Sequence, residues 1–462
     1  MEPGRVQNRP PKRINKSLTN QIALGAFEFL LLVLRTASAH GLNHIAARKR
    51  HPLEIIIWIT AVLCGCLGAA HLCLSTWKRY QSSPTVISLE RNYLDWNTTF
   101  PASTVCPLKK LEDSLVAKIA SEKYQNTAQD ETAGLLLLAN ATFHTFDKVE
   151  GLKNLSPNHY QDIIFGAAFN FTYSVSNSNS EASDLLPMIT EFGICYTYNS
   201  QIAAYNSPSY WKENKWKLFP LVDVFKGNPL EGDIFVAMME MNSDLQVFIH
   251  SPQEIPESAS KWFLSAQKHY LALEFEALTI YSTENTRGLS VKQRKCRFLE
   301  ESNLETNPVY SYNLCRSECR MRLGFKLCGC VPYFYRNIGK YRICDIAGMH
   351  CLSKYKERLI KLRDSKGNKQ KCHCYPTCNE INYVIQTDSS IEWLLGTNFK
   401  YTLIKYPRSR LKRDIVFGAS DLLVQFGGTV GLCLGCSLLS IVEIFYFLTL
   451  RLLLFIMAKG NL

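Results

Sequence analysis

Nowhere in this chain do a serine, a histidine and an aspartate, or a cysteine and a histidine, stand at a spacing that suggests nucleophilic catalysis. No glycine-rich loop is placed to cradle a phosphate either. These absences remove the usual sequence grounds for an enzyme, and no catalytic residue, cofactor or metal is expected. The formal net charge is +12, yet no nucleic-acid-binding motif accompanies it, so nucleic acid is not an expected partner. Long apolar runs are scarce too. Only two reach the roughly 20 residues that cross a bilayer. They are EIIIWITAVLCGCLGAAHLCLSTW at 54–77 and LLVQFGGTVGLCLGCSLLSIVEIFYFLTL at 422–450. A third run, IALGAFEFLLLVL at 22–34, is too short to span and contains Glu28. The ASA that follows at 37–39 imitates a signal-peptidase site. The segment reads better as a short cytoplasmic or membrane-surface helix.

The charge that is present is uneven. Residues 1–52 hold Arg5, Arg9, Lys12, Arg13, Lys16, Arg35, Arg48, Lys49 and Arg50 against only Glu2 and Glu28. A basic tail beside an apolar span reports a cytosolic end. Two spans then put both termini in the cytosol and the middle outside, in contact with the lipid bilayer only through the spans. The run RSRLKR at 408–413 lies on the outer side and opposes a simple charge count. Long translocated segments largely escape that rule, so the topology stands. The expected divisions are a cytoplasmic tail at 1–53, a first span at 54–77, an extracellular part at 78–421, a second span at 422–452 and a short tail at 453–462.

The middle reads as an oxidised, glycosylated domain. Of 17 cysteines, Cys64, Cys66, Cys73, Cys433 and Cys436 lie in apolar runs, and the other twelve lie between the spans. An even number suits a disulfide framework. Acceptors for N-glycosylation occur at Asn97, Asn140, Asn154 and Asn170 in the same region, with Pro157 close enough to weaken Asn154. Cys315 and Cys319 are four apart within SYNLCRSECRMRL, a plausible helix, so they share a face. Cys372 and Cys374 are two apart within KCHCYPTC, which suggests one strand face. An antiparallel staple would join Cys315 to Cys374 and Cys319 to Cys372, and Cys296 with Cys378 would extend it. Zinc held by CGC and CHC with His373 is the weaker rival in an oxidising compartment. The rest reads as α+β: a solvated helix at 352–363 and strands at 381–387 and 400–406.

The second apolar run is built oddly for lipid. In GGTVGLCLGCSLLS, Gly427, Gly431 and Gly435 fall four apart and share a helix face that has almost no side chain. Such a face serves either as a seam between membrane helices or as the bare wall of a narrow water path.

Five motifs in order favour the second. HGL stands at 40–42, FPASTVC at 100–106, GICYTYN at 193–199, then the ten-cysteine cluster ending in CHCYPTC, then GGTVGLCLGCSLLSIVE at 427–443. With these the chain resembles the epithelial sodium channel/degenerin superfamily, and within it the insect pickpocket channels. The resemblance covers nearly the whole chain. It departs from the family at Tyr198, where phenylalanine is usual, and at Cys436, where alanine or serine is usual.

The resemblance implies a two-span, α+β channel subunit with a large disulfide-rich extracellular domain made of a palm sheet, a helical thumb and a finger. Three such subunits, identical or related, would surround one pore in the plasma membrane and pass sodium ions, with block by amiloride. It implies the disulfides Cys106–Cys195, Cys296–Cys378, Cys315–Cys374, Cys319–Cys372, Cys328–Cys351 and Cys330–Cys344. Gly435, Cys436 and Ser437 stand at its selectivity filter, where bare glycine carbonyls and a small hydroxyl would replace water around the ion. Glu443 matches a family glutamate inside the second span, where an ionisable group is costly and points to function; three copies would attract cations, and pairing with a lysine or arginine of the tail is the alternative. His40 and Gly41 match the gating motif before the first span. Val424 matches a position that is small in the family, where bulk hinders closing. Tyr446 replaces an acid found in proton-gated members, so gating of that kind is not expected. An extracellular ligand or tension is the expected stimulus. The alternatives are a non-conducting partner subunit and a surface receptor with no pore of its own.

Overall fold

The computed structural model describes residues 15–47, 50–123, 128–152, 154–179, 184–213, 216–364 and 366–460. Arg5, Arg9, Lys12, Arg13, Arg48 and Lys49 of the basic tail, with Glu2, lie outside the described residues. The chain divides into two units, one from Met1–Thr85 with Ile415–Leu462 and one from Val86–Asp414.

The first unit opens with helices α1 (Asn15–Thr36), α2 (Leu42–Ile45) and α3 (Pro52–Ser82). Pro52 suits the first turn of α3, where its missing N–H costs nothing, and the His51 ring accepts from the Leu53 N–H at 3.3 Å. Charge enters α3 only at its ends, through Glu54 and through Lys78 and Arg79. Thirty-one residues make a rod about 46 Å long, more than a bilayer core needs.

In the second unit the strands are, in chain order, β1 (Thr85–Glu90), β2 (Thr98–Thr99), β3 (Ala102–Pro107), β4 (Ser174–Asn177), β5 (Leu186–Thr190), β6 (Gly193–Tyr198), β7 (Lys226–Gly227), β8 (Phe235–Met241), β9 (Leu245–His250), β10 (Phe263–Ser265), β11 (His269–Ser282), β12 (Glu380–Glu392), β13 (Thr397–Leu403) and β14 (Arg410–Ile415). Seven of them form a sheet in the order β1-β14-β11-β13-β8-β4, with β12 on the other side of β11. Five more form a sheet ordered β10-β9-β3-β6-β5, and β2 pairs with β7. Period-two patterning explains the central strand. Leu271, Leu273, Phe275 and Ala277 of β11 point into the core, while Glu274 and Glu276 between them face water. Thr397, Phe399, Tyr401 and Leu403 of β13 do the same. Phe100 completes this core, with its ring centroid 5.2 Å from that of Phe275 and 5.1 Å from that of Tyr401.

The helices of this unit are α4 (Asp113–Lys123), α5 (Ala128–Ala139), α6 (Tyr160–Gly166), α7 (Pro208–Lys212), α8 (Val291–Arg294), α9 (Tyr312–Cys328), α10 (Ile346–Lys354) and α11 (Lys356–Lys361). The stretch 352–363 is therefore not one helix. It breaks at Tyr355, and it is not solvated all round, because Leu352 and Leu359 are fully buried. Residues 371–376 form no strand, and His373, between the two cysteines, takes a left-handed φ of 53°. Six disulfides form. Cys106–Cys195 joins β3 to β6, Cys315–Cys374 and Cys319–Cys372 tie α9 to the chain after α11, and Cys328–Cys351 joins α9 to α10. Cys330–Cys344 and Cys296–Cys378 close the set, so all four cysteines of CGC and CHC are oxidised. Asn97, Asn140, Asn154 and Asn170 are all exposed.

A buried charge cluster holds α9 in place. Arg320 has no exposed surface; its guanidinium meets Glu191 at 2.5 Å and Glu257 at 2.5 Å, and its Nε donates to the Leu359 carbonyl at 3.0 Å. Glu191 also accepts from the Tyr335 hydroxyl at 2.5 Å and the Ser258 N–H at 2.7 Å. Burial works against this carboxylate, but the Arg320 charge and these donors hold its pKa below the ordinary range. Elsewhere Lys110 is buried with one acceptor, the Ile194 carbonyl at 3.1 Å, and burial pushes its ammonium down to about 7.

The chain continues into the first unit as α12 (Ala419–Leu434), α13 (Leu438–Tyr446) and α14 (Leu452–Gly460), with a π-helical turn at Phe447–Arg451. Among the described residues two helical stretches are long and apolar enough to cross a membrane, Pro52–Ser82 and Leu438–Met457, and Ala419–Leu434 is a shorter apolar helix.

Glu191→Ala leaves Arg320 buried beside one carboxylate instead of two. It should destabilise the chain by about 3–5 kcal/mol, read as a lowered thermal midpoint; an unchanged midpoint contradicts the role given to the cluster. Lys110 sets a pH dependence of known sign. Above pH 7 the folded lysine releases a proton that the unfolded chain, with an ordinary lysine near about 10.4, still holds, so stability rises with pH in that window. Lys110→Met should flatten the rise, and a variant with the same slope as the parent contradicts the assignment.

Candidate functional site

The last apolar stretch does not continue as one helix. α12 ends where Gly435 turns into the left-handed region, φ 66° and ψ 17°, its N–H still bonded to the Gly431 carbonyl at 2.8 Å. Cys436 and Ser437 run without helical structure, and α13 begins at Leu438. The Ser437 N–H donates to the Ser440 hydroxyl at 3.0 Å, and the Ser440 N–H returns to the Ser437 carbonyl at 3.0 Å. This reciprocal cap starts the new helix from within.

A helix that stops in an apolar setting strands carbonyls that lipid cannot satisfy. The turn between α1 and α2 supplies one partner: the His40 N–H donates to the Leu434 carbonyl at 2.9 Å. The His40 ring lies on Gly435 so closely that a Cβ there would overlap the imidazole. Gly435 is thus required twice, by its positive φ and by the ring above it. The same turn grips α13. The Ser38 N–H donates to a Glu443 oxygen at 3.1 Å, and the Ser38 hydroxyl to that of Ser440 at 2.8 Å. Its other side rests on α3. Gly41 has φ 88°, and a Cβ there would come 2.8 Å from a Val62 methyl. His44 stacks on Trp58 with centroids 4.3 Å apart, and Arg35 Nε closes the loop onto the Ala46 carbonyl at 2.8 Å.

Of the residues singled out in the sequence, the structure brings together His40, Gly41, Gly435, Ser437 and Glu443. Cys436 stands within the break, its thiol 3.9 Å from the Leu434 carbonyl. Glu443 has a partner, but it is a backbone N–H rather than a lysine or arginine of the tail. Val424 is not part of this cluster; it sits on α12 three turns before the break and is 72% exposed. A Cβ at Gly427 or Gly428 would meet no atom beyond its own helix within 4 Å, so that face of α12 is open in the single chain.

Three residues of the cluster escape sequence reasoning. Ser38 has no signal of its own. Ser440 does, because it stands three residues after Ser437 at the spacing of a helix cap. Gly65 lies in α3, where a Cβ would come 2.9 Å from the Cys433 carbonyl, so α3 and α12 approach closely at a residue that the CGC of the first span hides among cysteines.

The arrangement is chemically sparse. It offers backbone carbonyls, small hydroxyls and one carboxylate along a break in an apolar helix. It can coordinate a small hard cation through oxygens, and it holds no nucleophile with a base.

The model of the amiloride-sensitive sodium channel family matches residues 33–447. The sodium channel protein Nach of Drosophila melanogaster is 22% identical, the alignment covering 89% of this chain and 85% of that protein. Pickpocket protein 28 of the same fly is 21% identical over 90% of this chain and 78% of its own length. The bile acid-sensitive ion channel of Homo sapiens is 23% identical over 89% and 84% respectively.

Ser38→Cys with Ser440→Cys, in a chain whose five free cysteines are replaced by serine, should form a disulfide on mild oxidation, read as a mobility shift that reductant reverses. No crosslink, with the protein at normal level, contradicts the docking of the 37–46 turn on α13.

Proposed function

The chain belongs to the amiloride-sensitive sodium channel family, and we propose that it is one subunit of a three-subunit, sodium-preferring, amiloride-sensitive channel of the plasma membrane. Residues 86–414 face outside and both ends face the cytosol. On this reading the seven-stranded sheet is the palm, α9 to α11 with their disulfides are the thumb, and the helices between residues 110 and 166 belong to the finger. The four acceptor asparagines, exposed on this unit, carry glycans.

The observation that supports the reading best is the break at Gly435–Ser437 inside the second apolar stretch. Non-helical backbone at membrane depth is tolerated where it lines water or is buried in protein. Three copies would present a collar of carbonyls and Ser437 hydroxyls at which Na⁺ exchanges its water. Cys436 replaces the usual small residue in that collar. Glu443 holds the 37–46 turn with one oxygen, which leaves the other to attract cations. Because the turn grips both sides of the break, His40 and Gly41 are placed to pass motion of the N-terminal segment to the collar. Val424 favours one second reading. A bulky, exposed residue at that point suits a subunit that shares its pore with smaller-residue relatives in a heteromer.

Voltage-clamp recording from cells expressing this chain, with external Na⁺ exchanged for K⁺ and amiloride added, tests the reading, with surface labelling as the control. A sodium-preferring current blocked by amiloride is expected. Gly435→Ala should abolish it at normal surface level, and His40→Ala in the same chain should restore part of it by clearing the overlap. Surface protein that passes no current, alone or with related subunits, contradicts the proposal.

A further inference from the structure

A strongly charged surface of the larger unit plays no part in that channel reading. Residues 354–371, KYKERLIKLRDSKGNKQK, hold eight Lys/Arg against Glu357 and Asp364. Lys354 ends α10, α11 follows, and Leu362 leaves the helix with φ 49°. The chain then turns back through Gly367, φ 81°, so that Arg363 and Lys369 meet as antiparallel bridge partners. The frame beneath is anchored at several points. Leu359 and Leu362 are buried, the Leu359 carbonyl takes the Arg320 Nε, and Cys319–Cys372 fixes the far end.

Both acids are consumed within the segment. Glu357 pairs with Lys361 at 2.6 Å. One Asp364 oxygen accepts the N–H groups of Lys366 and Asn368 at 2.8 and 2.9 Å. Lys354, Lys356, Arg363, Lys366, Lys369 and Lys371 are exposed, and none forms an ion pair among the described residues. Like charges directly opposite each other on paired strands are unfavourable, yet the fold holds Arg363 against Lys369 on a braced hairpin. A bound polyanion attracts both cations and so offsets that repulsion. No large apolar side chain is exposed among these cations, so the surface lacks the buried anchor that a protein partner needs. Five of the six are lysines, compact charges that suit a dense, repeating anion better than a bidentate one.

We propose that Lys354, Lys356, Arg363, Lys366, Lys369 and Lys371 form a docking surface for a sulfated polysaccharide. The assignment rests on the reading that residues 86–414 face outside, where such polymers occur. Association draws on release of condensed counterions from the polymer, so it is steeply salt-dependent.

The test uses the full chain purified in detergent, with immobilised heparin as the probe. Affinity should fall at least about tenfold between roughly 50 and 200 mM NaCl. Arg363→Ser with Lys366→Ser and Lys369→Ser should weaken binding at least about tenfold at unchanged thermal midpoint. The same loss of charge at exposed Lys118, Lys217 and Lys226 should not. A triple variant that binds like the parent overturns the proposal. So does polyglutamate, or vesicles of anionic lipid, bound as tightly as heparin and through the same residues. No current is measured, so a silent channel leaves a positive result standing, and failed binding leaves the channel reading untouched.

Discussion

In an apolar medium a backbone carbonyl without a partner costs several kcal/mol, and every irregular residue at membrane depth has to answer to that cost. The break after Leu434 is stable because another part of the chain answers it. The His40 N–H takes the Leu434 carbonyl, Ser437 and Ser440 cap the new helix, and Ser38 takes Glu443. These partners come from opposite ends of the sequence. The arrangement explains why a histidine is next to a glycine before the first span: the histidine seats its ring on Gly435, and Gly41 lets the chain pass close to Val62. It also explains why Gly435 admits no side chain, whereas Gly427 and Gly428 have open space around them in the single chain.

The larger unit follows a different rule. Its surroundings are aqueous, and its integrity comes from period-two burial along β11 and β13, from six disulfides, and from one buried cluster of opposite charges. Arg320 ties together residues far apart in the chain, Glu191 after β5, Glu257 before β10 and the Leu359 carbonyl in α11. A buried ion cluster is weak evidence for stability as such, since well-packed apolar groups often do as well. What it supplies here is register, because each carboxylate fits only when α9 and the segments it joins are in place.

Much of this was legible in the sequence and some of it was not. The two apolar stretches, the strands near 381 and 400 and the glycine face of the second stretch follow from local pattern. The face argument for Cys315 and Cys319 holds because α9 is a helix. The matching argument for Cys372 and Cys374 does not, since that segment is no strand and His373 bends it. Reading 352–363 as one solvated helix overlooked that Leu352 and Leu359 stand seven apart, two turns on one face, which is a burial signal. The meeting of His40 with Gly435 and of Ser38 with Glu443 has no trace in local pattern. Separations of about 400 residues leave no periodicity to read, and the donors involved are backbone groups, which every residue has.

A Gly435–Ser437 break that lines the ion path must be reachable from water. Cys436 provides a native reporter there, since its thiol is absent from no copy of the chain. The measurement is inhibition of the current by a small, membrane-impermeant methanethiosulfonate, compared between the parent chain and Cys436→Ser. Lasting inhibition of the parent that reductant reverses, and a resistant variant, are expected. Equal inhibition of both, or of neither, would contradict that placement of the break.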